Sequence, residues 1–124
     1  MKKFNVLVVE DDLEIAPYIV MFLDRVIPNS NFFKARDKTE ALKFITEKEF
    51  DLITLDGQLL NGDHGRDVLK GMSEDQILKT IVYSCDSDFL KECQAKGIKA
   101  VNKIHCMIDK LVAVEGESIV FKVV

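Results

Sequence analysis

The sequence has few cysteines, and their arrangement excludes two common ways of stabilising a small protein. It contains three, Cys85, Cys93 and Cys106, and no pair of them has C-x-x-C spacing. An odd number without that spacing argues against a disulfide framework and against a structural zinc site. We therefore expect three reduced thiols and a cytoplasmic protein.

Clustered positive charge and long apolar runs are also scarce. The formal net charge is −4, and Lys2-Lys3 is the only pair of adjacent basic residues in the sequence. Such a chain lacks the electrostatic footprint of a protein that binds nucleic acid or anionic membranes. The apolar run at residues 6–9 stops at three carboxylates, which is too early for a signal peptide or a membrane span. We expect no direct nucleic-acid contact and no membrane insertion.

The chain of 124 residues has the size of one domain and leaves no room for a second. Short β-branched runs alternate five times with stretches of helical periodicity, as in βαβ units around a parallel sheet. We predict strands at residues 6–9, 32–35, 52–55, 81–83 and 100–102. Helices are predicted from an apolar stripe over 15–26, from a capping box at Asp37 and Glu40, around 68–72, and after a cap at Asp86 or Ser87.

The C-terminal end of the sequence is less regular. Residues 107–114 suffice for only about two helical turns, and residues 118–124 look like a strand. We therefore divide the chain into a domain at 1–114 and a strand-like tail of open placement at 115–124. The tail either adds a sixth strand, pairs with a partner by strand addition, or begins a domain that is missing.

Polar side chains that suit phosphate chemistry follow the predicted strands. Glu10 and Asp11 follow the first strand, Asp56 the third, Ser84 the fourth and Lys103 the fifth. In open parallel sheets, ligands bind beyond the carboxyl ends of the strands, where all five would lie. Three carboxylates in one crevice repel one another, and a hard cation that prefers oxygen ligands, such as Mg²⁺, removes that penalty.

These residues have complementary chemical roles. The Asp56 carboxylate can attack a phosphoryl group, while Lys103 and the cation neutralise charge on the phosphoryl oxygens. The Ser84 hydroxyl can then hydrogen-bond the bound phosphoryl group and pull its loop inward. Each residue alone is more often an ordinary turn or cap residue, so the prediction depends on the ordered set.

Four segments resemble the bacterial response-regulator receiver (CheY-like) family: Val-Val-Glu-Asp-Asp at 8–12, Asp-Leu-Ile-Thr-Leu-Asp at 51–56, Ile-Val-Tyr-Ser at 81–84, and Lys103. The likeness covers nearly all of residues 4–113. It implies a flavodoxin-like, doubly wound, five-stranded parallel sheet of order 2-1-3-4-5. It also implies phosphotransfer from a histidine kinase or histidine phosphotransfer protein to Asp56, and signalling to a separate effector protein.

The resemblance further implies the metal ligands and shows where this chain departs from the family. Glu10, Asp11, Asp56 and the backbone carbonyl of Gln58 match the Mg²⁺ ligands, with Asp12 less favoured. Leu60 replaces a usual proline, which predicts a mobile turn. Ile104 replaces a proline reached through a cis bond, so we expect a trans bond or a reshaped Lys103 loop. Ala100 replaces the usual aromatic switch, and the short last helix predicts an unconventional output surface.

Two other functions compete with a working phosphoacceptor. A pseudo-receiver would keep the fold as an interaction module with weak or absent phosphorylation, as the three departures suggest. A small Mg²⁺-dependent phosphatase is less favoured, because nothing indicates a cap domain or substrate pocket. We therefore expect a signalling domain rather than an enzyme, with a homodimer among its candidate assemblies. His64 and His105 are interpreted as surface histidines in loops.

Overall fold

Five strands form one parallel sheet in the computed structural model, which describes residues 2–123. They are β1 (Phe4–Val9), β2 (Ser30–Ala35), β3 (Leu52–Leu55), β4 (Thr80–Ser84) and β5 (Ala100–Asn102). Their order is β2-β1-β3-β4-β5, which confirms the predicted doubly wound sheet. Met1, the first residue of the predicted domain at 1–114, and Val124, the last residue of the predicted tail at 115–124, lie outside the described residues.

The helices lie where apolar periodicity and capping residues predict them, with one addition. They are α1 (Ile15–Val26), α2 (Lys38–Glu47), α3 (Gly65–Lys70), α4 (Glu74–Leu78) and α5 (Ser87–Ala95). Asp37 and Asp86 cap α2 and α5 by accepting hydrogen bonds from backbone amides. Helix α4 was not predicted; Ser73 begins it with a capping box. None of the helices within 2–123 is long and apolar enough to cross a membrane.

Apolar layers cover both faces of the sheet. Successive side chains of a strand point to opposite faces, so the uninterrupted apolar strands supply both layers. One layer includes Leu7, Val9 and Leu55 beneath α2, α3 and α5. The other includes Val6 and Val8 beneath α1 and the C-terminal segment. This double burial holds the strand ends, and hence the polar side chains that follow them, at one edge.

The C-terminal segment differs from the predicted last helix. A 3-10 turn at Ile108–Lys110 leads into β6 (Val112–Glu115), which pairs antiparallel with β7 (Ser118–Phe121). The prediction of two helical turns over 107–114 is therefore wrong. Alternate side chains of β6 and β7 pack against the α1 side of the core, and Gly116, with φ of 64°, permits a two-residue turn. The hairpin forms its own two-stranded sheet and adds no sixth strand to the main one.

Candidate functional site

The predicted site residues surround one cleft at the carboxyl edge of the parallel sheet. The cleft has a volume of about 480 Å³. Its lining includes all the residues that the sequence predicts as phosphoacceptor, phosphoryl-binding or metal-binding residues: Glu10, Asp11, Asp12, Asp56, Gln58, Ser84 and Lys103. Segments up to 93 residues apart in sequence therefore meet, because each follows a strand of the same parallel sheet.

The Lys103 ammonium joins two of the carboxylates. Its Nζ donates to Glu10 Oε1 and to Asp56 Oδ2, each at 2.8 Å. The Glu10 side chain is 2% exposed, and those of Asp56 and Lys103 are 10% and 11% exposed. Removing one member of such a buried group leaves an uncompensated charge, which costs about 3–5 kcal/mol in comparable cases. The three side chains thus act as one electrostatic unit.

The two carboxyl groups of this unit differ in proton affinity. Burial, followed by the neighbouring Asp56 carboxylate, raises the pKa of Glu10 to about 8. Burial alone would also raise the pKa of Asp56, but Glu10 and Lys103 outweigh it and hold that pKa below its ordinary value. Burial opposes the charge of Lys103, yet the two carboxylates raise its pKa. Without a cation, a proton therefore binds to Glu10 in preference to Asp56.

Three acidic side chains of the cleft are close enough together to hold a cation. Carboxylate oxygens of Glu10, Asp11 and Asp56 all lie within 4.8 Å of one another. Glu10 Oε2 is buried and accepts no hydrogen bond from the described part of the chain. Buried acceptors are normally satisfied, and an all-oxygen set suits Mg²⁺. Asp12 is engaged elsewhere, because its Oδ1 accepts from the amides of Glu14 and Ile15 as α1 begins.

Close backbone packing positions the Asp56 carboxylate. Its Oδ1 accepts from the Gly57 amide at 2.6 Å, and the Gly65 amide donates to the Gly57 carbonyl at 2.8 Å. A Cβ atom on Gly65 would lie 2.3 Å from the Asp56 carbonyl oxygen. Only glycine therefore lets α3 begin against the end of β3. The sequence predicts only a mobile turn at Leu60, and this role of Gly65 was missed.

The turn after Asp56 is held by several contacts. Gln58 forms an isolated antiparallel bridge with His64, and the amide of Leu60 donates to the Arg36 carbonyl at 2.9 Å. His64 is not a simple surface residue, contrary to the sequence interpretation. Its Nε2 lies 3.8 Å from Asp86 Oδ2, and its ring packs edge-on against Phe89 at 4.7 Å between centroids. Greater mobility of this turn stays a prediction.

The loops after β4 and β5 place Ser84 and Lys103. Ser84 is buried, and its Oγ accepts from the Asp86 amide at 3.1 Å. No peptide bond within residues 2–123 is cis, so the bond between Lys103 and Ile104 is trans, as expected. Tyr83 was not singled out from the sequence. Its hydroxyl donates to the carbonyl of Cys106 at 2.7 Å and places an aromatic ring beside the Lys103 loop.

Solved structures of receiver domains resemble this chain throughout most of its length. The receiver domain of a Francisella response regulator is 26% identical, with a TM-score of 0.70 over 87% of this chain and 89% of that one. The signal receiver domain of a LuxO repressor protein from Vibrio parahaemolyticus is 23% identical, with a TM-score of 0.71 over 89% and 85%. No protein-family model and no curated protein sequence matches the chain.

A third similar structure is that of a response regulator with bound ligands. The response regulator TrrA from Thermotoga maritima, in complex with Mg²⁺ and BeF, is 24% identical, with a TM-score of 0.67 over 83% of this chain and 87% of that one. The chain therefore has the fold of response-regulator receiver domains, which confirms the resemblance inferred from its sequence.

Proposed function

From this receiver-domain fold, we propose that the chain is a phosphoacceptor of a two-component phosphorelay, which takes its phosphoryl group on Asp56. The observation that carries the proposal is the position of Lys103 Nζ, 2.8 Å from carboxylate oxygens of both Asp56 and Glu10 in an acidic cleft. A structural ion pair needs only one carboxylate. A lysine shared by two, beside a third acidic side chain, matches what a transferring phosphoryl group requires.

The metal ligands we propose are Glu10, Asp11, Asp56 and the Gln58 carbonyl. Three of the four contribute carboxylates that already converge, and Gln58 lines the same cleft. A bound Mg²⁺ would neutralise charge on the phosphoryl oxygens. Glu10 Oε2 supports this assignment, because it is buried without a hydrogen-bond partner among the described residues, and a bound cation would supply that contact once Glu10 is ionised.

The residues of this chain would divide the transfer among them. An Asp56 carboxylate oxygen bonds to phosphorus while the bond from phosphorus to the donor imidazole nitrogen breaks. The departing nitrogen keeps the electron pair of that bond. Lys103 supports the negative phosphoryl oxygens, and the Gly57 amide fixes the other Asp56 oxygen. Ser84 Oγ can then donate to the new phosphoryl group, which would draw the β4–α5 loop toward Asp56.

The donor would be a histidine kinase or histidine phosphotransfer protein, and a separate effector protein would read the result in the cytoplasm. Exposed apolar side chains near the cleft support contact with a protein donor. Leu13 and Ile104 are 68% and 72% exposed. Ile104 also lines an apolar groove of about 270 Å³ that includes Tyr18 and reaches Lys103. A protein that presents a phosphohistidine to Asp56 would cover this surface.

A pseudo-receiver is the second candidate. The observation that favours it is Ala100, which is buried on β5 and leaves no aromatic side chain at the position of the family's switch. Tyr83 lies on the neighbouring strand but is tied to the Cys106 carbonyl. In this alternative the fold would bind partners with weak or absent phosphorylation. Self-phosphorylation of the chain distinguishes the two candidates.

The test is the intact mass of the protein after incubation with acetyl phosphate and Mg²⁺. We expect one phosphoryl adduct per chain, absent without metal and absent in Asp56→Asn. Asp12→Asn is the matched control, because it removes an acidic side chain of the same cleft that the proposal does not use as a ligand; it should still be labelled. No adduct on the folded wild-type protein would support the pseudo-receiver. Continuous phosphate release over many turnovers would instead indicate a phosphatase.

A further inference from the structure

The C-terminal hairpin has a free backbone edge. The Lys122 amide donates to the Leu111 carbonyl at 2.8 Å, which fixes the alternation of hydrogen bonding along β7. Ser118, Val120 and Lys122 therefore direct their backbone groups toward β6, while those of Ile119 and Phe121 point away. Within residues 2–123, β7 pairs with β6 alone. Such an unpaired edge is a template for another strand.

The two faces of the hairpin differ in chemistry. The inner face carries apolar side chains that pack against the core: Val112, Val114, Ile119 and Phe121. The outer face carries Ala113, Glu115, Ser118, Val120 and Lys122, none of which belongs to a core cluster. A strand added at the free edge would extend both faces. The outer face therefore determines which strand fits.

We propose that β7 pairs antiparallel with β7 of a second copy of this chain, with the two-fold axis at Val120. Opposed residues in a sheet point to the same face. When a strand pairs with its own copy, the two residue numbers of each facing pair must therefore add up to an even number. An axis at Val120 places Ile119 opposite the partner's Phe121, and both residues have free backbone groups. Two hairpins then form one four-stranded sheet, and the edge of β7 is closed by symmetry.

Charge selects this register over its neighbours. On the outer face, Glu115 of β6 lies beside Ser118 of β7, and Ser118 lies opposite the partner's Lys122. The small serine lets the lysine reach across to Glu115, and the two-fold axis forms the pair twice. Shifting the axis by one residue to 121 places Lys122 against the partner's Val120, and shifting it to 119 leaves Lys122 beyond the paired strands. Only the axis at Val120 also brings two Val120 side chains together.

This contact is separate from the cleft and does not depend on the proposed function. None of its residues lines the site around Asp56. The surface is one short strand per copy, which is small for a stable dimer. We therefore expect an association that depends on protein concentration in the micromolar range and above.

Disulfide trapping tests the register. At the axis the two Val120 residues form a non-hydrogen-bonded pair, with Cα atoms about 4.5 Å apart, within disulfide range. Val120→Cys should give a covalent dimer under mild oxidation. Ala113→Cys is the matched control, because it lies on the same face but about 14 Å from its symmetry mate, three strand spacings away. Both variants are made with Cys85→Ser, which removes the exposed native thiol. Equal cross-linking of the two variants, or none, would overturn the proposal.

Charge exchange tests the same contact without cysteine chemistry. Lys122→Glu and Glu115→Lys should each raise the dissociation constant of the dimer about tenfold in sedimentation equilibrium. Each substitution brings like charges together at both of the symmetry-related contacts between residues 115 and 122. The double variant Glu115→Lys with Lys122→Glu should restore wild-type association. Within one chain the two residues lie at opposite ends of the hairpin, so restoration can only come from a contact between copies. A monomer at all concentrations, or no restoration, would contradict the pairing.

Discussion

The carboxyl edge of the parallel sheet and the C-terminal hairpin are assembled from different kinds of contacts. At the edge, polar residues far apart in sequence meet because each follows a buried strand, and Lys103 connects two of the carboxylates. In the hairpin, neighbours in sequence pair with one another and cover the α1 side of the core. The cleft thus depends on residues that the parallel sheet brings together from distant parts of the sequence, while the hairpin on the α1 side depends on residues that are close in sequence. We therefore expect that substitutions in the hairpin leave the chemistry of the cleft unchanged.

Loss of the Lys103 charge should have the largest effect on phosphorylation at the carboxyl edge. Lys103→Met keeps the length of the side chain but leaves Glu10 and Asp56 without their shared donor. We expect labelling by acetyl phosphate to slow by about 100-fold or more, measured as the rate of adduct formation. Lys110→Met, an exposed lysine on the hairpin side of the molecule, should label at the wild-type rate. Equal rates in the two variants would break the proposed distinction between edge and hairpin.

A methyl group at Gly65 should strain the turn that seats Asp56. Because the added Cβ would lie 2.3 Å from the Asp56 carbonyl oxygen, α3 or β3 must move. Gly65→Ala should lower the free energy of unfolding by about 2–4 kcal/mol in urea denaturation, and should slow labelling. Gly116→Ala adds a Cβ with no neighbour within 4 Å, at a φ of 64° in the hairpin turn. It should cost only about 1 kcal/mol and leave labelling unchanged.

Packing of the hairpin should matter for stability without affecting chemistry. Phe121 is half-buried against the α1-side core, and Lys99 Nζ lies 4.5 Å from its ring centroid. Phe121→Ala should lower the free energy of unfolding by about 2 kcal/mol, whereas Phe121→Leu should cost less. Both variants should label Asp56 at the wild-type rate under folding conditions. Slower labelling in proportion to lost stability would mean that the hairpin supports the cleft after all.

Proton release should accompany Mg²⁺ binding at the edge. The pKa of Glu10 is about 8 without a cation. Below that pH, Glu10 must therefore lose a proton before its carboxylate can bind the metal. The dissociation constant for Mg²⁺ should therefore fall by up to about tenfold per pH unit toward pH 8 and then level off. Calorimetry in two buffers of different ionisation enthalpy measures the proton count, near one at pH 7. Glu10→Gln should release none, and Asp12→Asn should behave as wild type; equal release by all three would refute the assignment.

The sequence predicts the edge well because strands and their polar ends are local patterns. Residues 52–55 and 100–102 are strands as expected, and Asp56 and Lys103 follow them directly. The hairpin was missed because a short apolar segment is compatible with helix or strand, and pairing with residues 118–121 decides between them. The roles of Gly65 and His64 depend on contacts with Asp56 and Phe89, which no local pattern reveals. Helix α4 has little apolar periodicity over Glu74–Leu78 and is recognisable only by its cap.

The most direct test of the central claim is to locate the phosphoryl group. Borohydride reduction converts an aspartyl phosphate to homoserine, and peptide mass spectrometry then identifies the modified position. After treatment with acetyl phosphate and Mg²⁺, we expect homoserine at position 56 alone, and none when metal is omitted. Homoserine at Asp11 or Asp12, or an unmodified Asp56 in a protein that carries the adduct elsewhere, would contradict the account.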